Sequence, residues 1–259
     1  MITEVKDGYV KTEKEHGITT IEFYHPQSNS LPGKLLETIA QTIHSEGVNS
    51  GTKVIILRSA GEKVFCAGAS FDELATITTQ EQGTQFFSGY GKVINAMRKA
   101  PQFIIARIQG KCVGGGLGLA AAADYAIATH GADVKLSELS AGFGPFVIGP
   151  AVQRKIGLAA FTHLTIDANM WRSSDWAKRN GLYAELHPEP SAMEDAIGRL
   201  SFTLSHVSQD ATKELKKVFW QGTEDWDDLL RERASISGRL ILSDYAKDFI
   251  KNFKRKSII

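Results

Sequence analysis

The chain has little of what would reveal its chemistry at a glance. Only two of its 259 residues are cysteine, Cys66 and Cys112. That is too few for a disulfide framework and fits a reducing, cytoplasmic setting. An excess of one charge is also missing, since 30 Lys and Arg against 29 Asp and Glu leave a formal charge of +1. The balance excludes the broad basic field by which proteins hold nucleic acid or anionic membranes without specificity. No run approaches the roughly 18 apolar residues of a membrane span. The N-terminal segment MITEVKDGYVKTEKEHG lacks the apolar stretch of a signal peptide. The seven histidines are scattered, with no H-E-x-x-H or other metal spacing. No Gly-Lys-Ser/Thr and no G-x-S-x-G occur, which removes the P-loop and the serine-hydrolase elbow.

What is present describes an α/β protein. At 42% hydrophobic residues the chain can bury a sizeable core without staples. Tyr9 to Glu15 and Ile18 to Tyr24 alternate as strands around a turn at His16-Gly17, and a helix is expected near Lys34 to Ser45. Lys53 to Arg58, Phe103 to Ile108 and Tyr125 to Thr129 read as buried strands, with a helix over Gln80 to Lys99 that ends before Pro101. Gly149 to Lys155, Ala159 to Ala168 and Ser174 to Asn180 read as helices, and Tyr183 to Leu186 as a short strand. Beyond Ser191 the pattern is amphipathic helix alone. The expected organisation is a mixed core over residues 1–190 and a helical region over 191–259.

Two Gly/Ala-rich segments stand out, VFCAGASFD (64–72) and GKCVGGGLGLAAAAD (110–124). Each lies where a short strand would end and a helix begin. Helix starts carry unpaired N–H groups and partial positive charge, so two facing starts can hold an oxygen that gains negative charge. Taken alone, the glycine triplet Gly114 to Gly116 is equally satisfied by close packing of helix on strand. A dinucleotide site fits worse, because Leu119 occupies the third glycine position of G-x-G-x-x-G. A carboxylate follows at Glu138 in KLSELSAGFGP (135–145), placed to move a proton beside that oxygen.

In this order the segments resemble the crotonase superfamily, also called the enoyl-CoA hydratase/isomerase family. RKIG (154–157), WAKRNGLYAEL (176–186) and the C-terminal ILSDYAKDFIKNFKRK extend the likeness through almost the whole chain. The resemblance implies a ClpP/crotonase-like spiral of strand-strand-helix repeats with a C-terminal helical region that packs subunits into trimers or dimers of trimers. It implies an acyl-CoA thioester as ligand, no metal and no redox cofactor, coenzyme A being part of the substrate. It places the thioester oxygen between the backbone N–H groups of Ala69 and Gly115. Ala67, Gly68, Gly114 and Leu31, within the Asn29 to Leu31 segment, fall where the family lays coenzyme A and the thioester. Phe143, Phe146 and Val147 fall along the acyl chain, and Asp124 matches a structural aspartate.

Hydratases of this family carry two glutamates that hold the attacking water. Here the first position is Gly118 and the second is Glu138. One acid suffices for moving a double bond, so the resemblance points to a single-glutamate enoyl-CoA isomerase. A hydratase with one acid replaced and a non-catalytic scaffold are the alternatives. Ser70, which stands where the family usually has Asp, and Ser137 or Ser140 are candidates for holding a water. Asp72 and Glu73 are rival acids, although the start of a short helix favours both types for its dipole alone.

Overall fold

The computed structural model describes residues 1–257. Strands β1 (Ile2–Val5), β2 (Gly8–Glu15) and β3 (Ile18–Tyr24) form an antiparallel meander. The β2–β3 turn puts His16 and Gly17 at φ 48° and 82°, the primed geometry that suits strand twist. The chain continues through α1 (Gly33–Gly47), β4 (Val54–Ser59), β5 (Val64–Cys66), α2 (Phe71–Leu74), α3 (Gln80–Lys99), β6 (Phe103–Ile108), β7 (Lys111–Val113), α4 (Gly115–Ala122), β8 (Tyr125–Thr129) and β9 (Val134–Lys135). It ends with α5 (Gly149–Ile166), α6 (Ser174–Arg179), β10 (Glu185–His187), α7 (Pro190–Ser205), α8 (Gln209–Phe219), α9 (Trp226–Leu240) and α10 (Asp244–Ser257).

Two sheets result. The larger runs β1-β2-β3-β4-β6-β8-β10 and is parallel from β3 onward; the smaller, β5-β7-β9, is parallel throughout. Strands β4, β6 and β8 are apolar on both faces, as a parallel sheet covered on both sides requires. Ile55, Leu57 and Ile104 join the main core with Leu36, Ile39 and Tyr90 of α1 and α3. On the opposite face Val54, Ile56, Ile105 and Ile127 meet Met193, Ala196 and Ile197 of α7. The C-terminal helices close the structure through α9, which crosses α3 where Gly83 faces Gly238. A Cβ on Gly238 would lie 2.4 Å from the Thr84 amide nitrogen, so only glycine permits that crossing.

The strand expected at 183–186 begins two residues later, at Glu185. Tyr183 is fully buried instead, with its hydroxyl donating to Ala132 O at 2.9 Å. The two helices expected over 149–168 are both present within α5, parted at Gly157, φ 80° and ψ 161°. Strands β1 and β9 were not legible, β9 having only two residues.

Asp124, directly after α4, gathers the second half of the chain around itself. Its carboxylate accepts from Ile104 N–H at 2.7 Å, from Trp220 Nε1 at 3.1 Å and from the Lys216 ammonium. The Lys216 and Asp124 side chains are 3% and 7% exposed, so α8 is locked to the α4–β8 junction by a buried ion pair. Removing one partner of such a pair strands the other charge out of water. Asp124→Ala should therefore cost about 3–5 kcal/mol in urea unfolding. A loss under 1 kcal/mol, on the order of a surface pair, would show that this junction does not anchor α8.

Candidate active site

The small sheet assembles the site. Cys66 of β5 pairs with Cys112 of β7, which pairs in turn with Val134 of β9. Because the three strands run the same way, the segments that follow them emerge side by side. Those segments are Ala67–Ser70, Gly114–Gly115 and Leu136–Glu138. Gly114 N–H donates to Lys135 O at 2.9 Å, tying the second segment to the third.

Glycine lets the first two segments touch through backbone. Gly68 sits at φ 87°, and a Cβ there would lie 3.1 Å from Val113 O and 3.4 Å from Gly115 N. A Cβ on Gly116 would lie 2.6 Å from Cys66 Cβ. Any side chain at Gly116 would push the start of α4 off the end of β5, separating the two loops.

Two amide groups of this wall have no hydrogen-bond acceptor among the described residues, and they are Ala69 N–H and Gly115 N–H. Gly115 opens α4, so its freedom is that of any first-turn amide, strengthened by the helix dipole. Ala69 is free for a different reason from the helix start expected. It forms a one-residue parallel bridge with Leu31, in which Leu31 N–H bonds Gly68 O and Ser70 N–H bonds Leu31 O. In such a bridge the bonded groups belong to the neighbours, and the N–H of the central residue points the other way. Both residues line the same cavity. Converging N–H donors in an enclosed site are the arrangement that stabilises an oxyanion.

Glu138 lines the same cavity, with its Oε1 against Gly114, the residue before Gly115. Its own carbonyl anchors the loop by accepting from the N–H groups of Ala141, Phe143 and Gly144 at 3.1–3.2 Å. Its carboxylate Oε2 is out of solvent contact and has no hydrogen-bond partner among the described residues. Burial pushes the carboxyl up from its ordinary 4.5 to about 7, against a lowering by the backbone N–H groups of Glu138 and Ser137. An acid with that pKa is half ionised near neutrality, the condition for a proton shuttle. No other carboxylate is among the residues lining the cavity.

The absence of a second acid at Gly118 is built into the packing. A Cβ there would lie 2.6 Å from Ile148 Cγ2, so the Ile148 side chain occupies the space a residue-118 side chain would need. The rival acids are engaged elsewhere. Glu73 accepts from Gly33 N–H at 2.7 Å and so caps α1, while Asp72 accepts from Gln27 Nε2. Ser70 caps α2, accepting from Glu73 N–H at 3.4 Å. Ser140 meets Asn169 at 3.0 Å and does not line the cavity, whereas Ser137 does.

Of the binding positions named from sequence, Ala67, Gly68, Gly114, Phe143 and Phe146 line the cavity. Leu31 does not; it is fully buried beneath the first loop, which it holds through the bridge to Ala69. Lining residues that sequence reasoning passed over include Phe71, Phe87, Tyr90 and Ser237. Tyr90 lies on the apolar face of α3, and a tyrosine on a buried stripe, where the hydroxyl needs a partner, was the available signal. Ser237 comes from α9, which no local pattern connects to the loops. Helix α10 packs over the site from the outside, with Phe253 stacked on Phe71 at 4.3 Å and Tyr245 against Gly142.

Comparison with known proteins shows the family. The family model described as enoyl-CoA hydratase/isomerase matches residues 13–248, and the chain belongs to that family of enzymes, the crotonase superfamily. The probable enoyl-CoA hydratase echA8 of Mycobacterium leprae is 29% identical over 254 residues, covering 95% of this chain and 92% of that one. Mitochondrial methylglutaconyl-CoA hydratase of Rattus norvegicus is 33% identical over 159 residues, 61% of this chain and 50% of that one. The match to YngF of Bacillus subtilis likewise spans about half of each chain, 51%. Among solved structures, enoyl-CoA hydratase from Bacillus halodurans superposes with TM-score 0.86 at 20% identity, covering 94% of this chain and 99% of that one. An enoyl-CoA hydratase from Mycobacterium avium gives TM-score 0.84 at 21% identity, covering 95% and 96%. At these identities the structures show the shared fold.

The Glu138 carboxyl leaves a thermodynamic signature that needs no substrate. The folded protein keeps its proton up to about pH 7, whereas the unfolded chain releases it near 4.5. Stability from the protonated form is complete below 4.5 and is lost as pH rises through about 7. Glu138→Gln, which stays neutral, should exceed wild type in urea unfolding by up to about 3 kcal/mol above about pH 8. The gap should close toward about pH 4, and a gap independent of pH would place the carboxylate in water.

Proposed function

We infer that the protein acts on acyl-CoA thioesters and that its reaction is the migration of a double bond in an enoyl-CoA. The observation that carries this reading is the buried Glu138 carboxyl, its Oε2 without a partner among the described residues, lining one cavity with two free amides where Ile148 has taken the space of a second acid. With the thioester oxygen accepting from Ala69 N–H and Gly115 N–H, electron density from the broken C2–H bond moves onto that oxygen. Glu138 takes the C2 proton, the enolate extends over C2 to C4, and Glu138 returns the proton to C4. A 3-enoyl thioester thus becomes a conjugated 2-enoyl thioester, with no atoms gained or lost. No cofactor beyond the substrate's own coenzyme A enters these steps. Phe143, Phe146 and Val147 give the acyl chain an apolar wall.

Hydration is the second reading, and Ser137 in the cavity is what favours it. A hydroxyl can hold a water but is a poor base at neutral pH, which makes hydration the slower outcome. Two wider features belong to the same proposal. Leu215, Val218 and Phe219 form an exposed apolar stripe on α8, 46–62% exposed, which supports the 191–259 region as the surface that packs subunits into trimers or dimers of trimers. Cys66 and Cys112 are buried free thiols, that of Cys66 pushed up to about 12, in keeping with a reducing cytoplasm.

The test is turnover of a medium-length 3-enoyl-CoA and of crotonyl-CoA, followed by the absorbance of the conjugated thioester. Isomerisation is expected, falling about 10²- to 10⁴-fold in Glu138→Gln. Robust hydration of crotonyl-CoA by the wild type would overturn the isomerase reading, and silence on both substrates would favour a scaffold. Gly118→Glu should gain no hydration by itself, because Ile148 fills the space; Gly118→Glu with Ile148→Ala reopens it. Equal hydration by the single and double variants would show that Ile148 is not the obstacle.

A further inference from the structure

Glu138 is not the only unsatisfied group in the cavity. The Tyr90 hydroxyl is also out of solvent contact and without a hydrogen-bond partner among the described residues, in a side chain only 3% exposed. Buried hydroxyls are nearly always partnered, and leaving one bare costs about 1–3 kcal/mol. Two groups with a bare oxygen lining one cavity, Glu138 against Gly114 and Tyr90 against the adjacent Gly115, mark the position of a polar ligand atom.

The position of the hydroxyl says which atom. A Cβ built on Gly115 would lie 2.7 Å from Tyr90 Oη. Since a Cβ is about 2.5 Å from its own amide nitrogen, Tyr90 Oη lies within about 5 Å of Gly115 N. An oxygen about 2.9 Å from that nitrogen fits within hydrogen-bond reach of the hydroxyl as well. The ring packs edge to face on Phe86, one turn earlier in α3, at 6.4 Å. Burial and the neighbouring Cys66, Glu138 and Glu73 push the phenol well above its ordinary 10, so it remains a donor at any working pH.

Resting on the acyl-thioester reading above, we propose that Tyr90 is a catalytic residue whose hydroxyl donates a third hydrogen bond to the thioester oxygen, beside Ala69 N–H and Gly115 N–H. The bond strengthens as the oxygen becomes an enolate, so it lowers the barrier more than it tightens binding. The proton stays on Tyr90, and Glu138 remains the group that moves protons.

The experiment compares wild type with Tyr90→Phe, which deletes the oxygen and keeps the ring. The carbonyl stretch of a ¹³C-labelled saturated acyl-CoA, bound to each, reads the hydrogen bonding directly. Expected are a carbonyl shifted down on binding wild type and partly restored in Tyr90→Phe, with kcat lowered roughly 10- to 100-fold and KM little changed. Thermal stability without ligand should be equal or higher in the variant, since no contact within the protein is lost. A wild-type carbonyl shift left intact by Tyr90→Phe would overturn the assignment of Tyr90 while leaving the acyl-CoA reading in place. A carbonyl at its free-solution frequency in the wild type would overturn both. A drop in thermal stability with unchanged kcat would make Tyr90 a packing residue and overturn the proposal.

Discussion

The site depends on backbone contact between β5, β7 and β9, three strands of two or three residues each that run in one direction. Parallel pairing alone brings the Ala67–Ser70, Gly114–Gly115 and Leu136–Glu138 segments to one end. Glycine then brings the first two into close backbone contact. A Cβ on Gly116 would meet Cys66, and Gly68 at φ 87° packs tightly against Val113 O, so the two segments approach through backbone. Side chains flex, whereas backbone in a buried sheet is held by its own hydrogen bonds and the packing around it.

That rigidity allows polar groups to remain unsatisfied. Ala69 N–H, Gly115 N–H, Glu138 Oε2 and the Tyr90 hydroxyl would each gain from a partner within the protein. The bridge to Leu31, the start of α4, the triple acceptance at the Glu138 carbonyl and the packing of Tyr90 on Phe86 keep them apart. Folding energy from the apolar core and from the Asp124–Lys216–Trp220 cluster offsets the cost of holding them bare. The resulting cavity holds free N–H donors together with a carboxyl whose pKa is raised to about 7.

Much of this was legible beforehand, for physical reasons that vary by element. The N-terminal hairpin announces itself because one face of an antiparallel pair meets water and its sequence alternates. Strands β4, β6 and β8 show as unbroken apolar runs, being buried on both sides. The glycine segments were readable because backbone approach demands glycine, and Glu138 because it is the one acid in its loop. Strand β9 was invisible, since two residues carry no period. Tyr90 and Ser237 were missed as cavity residues because each lies on a helix far along the chain, and only packing turns them inward.

The sequence by itself determined the α/β class, the two glycine-rich loops, a glutamate at 138 and, through resemblance, the family. These are local properties: a residue type, a spacing, a pattern of burial. Tertiary structure alone decided which groups face one another. It made Ala69 a free donor through a bridge to Leu31, turned Glu73 into a helix cap and gave Glu138 a raised pKa by burial. It filled the space beside Gly118 with Ile148 and brought the Tyr90 hydroxyl against Gly115. Each of these rests on a contact between residues distant in sequence, and such a contact is specified only when the whole core closes.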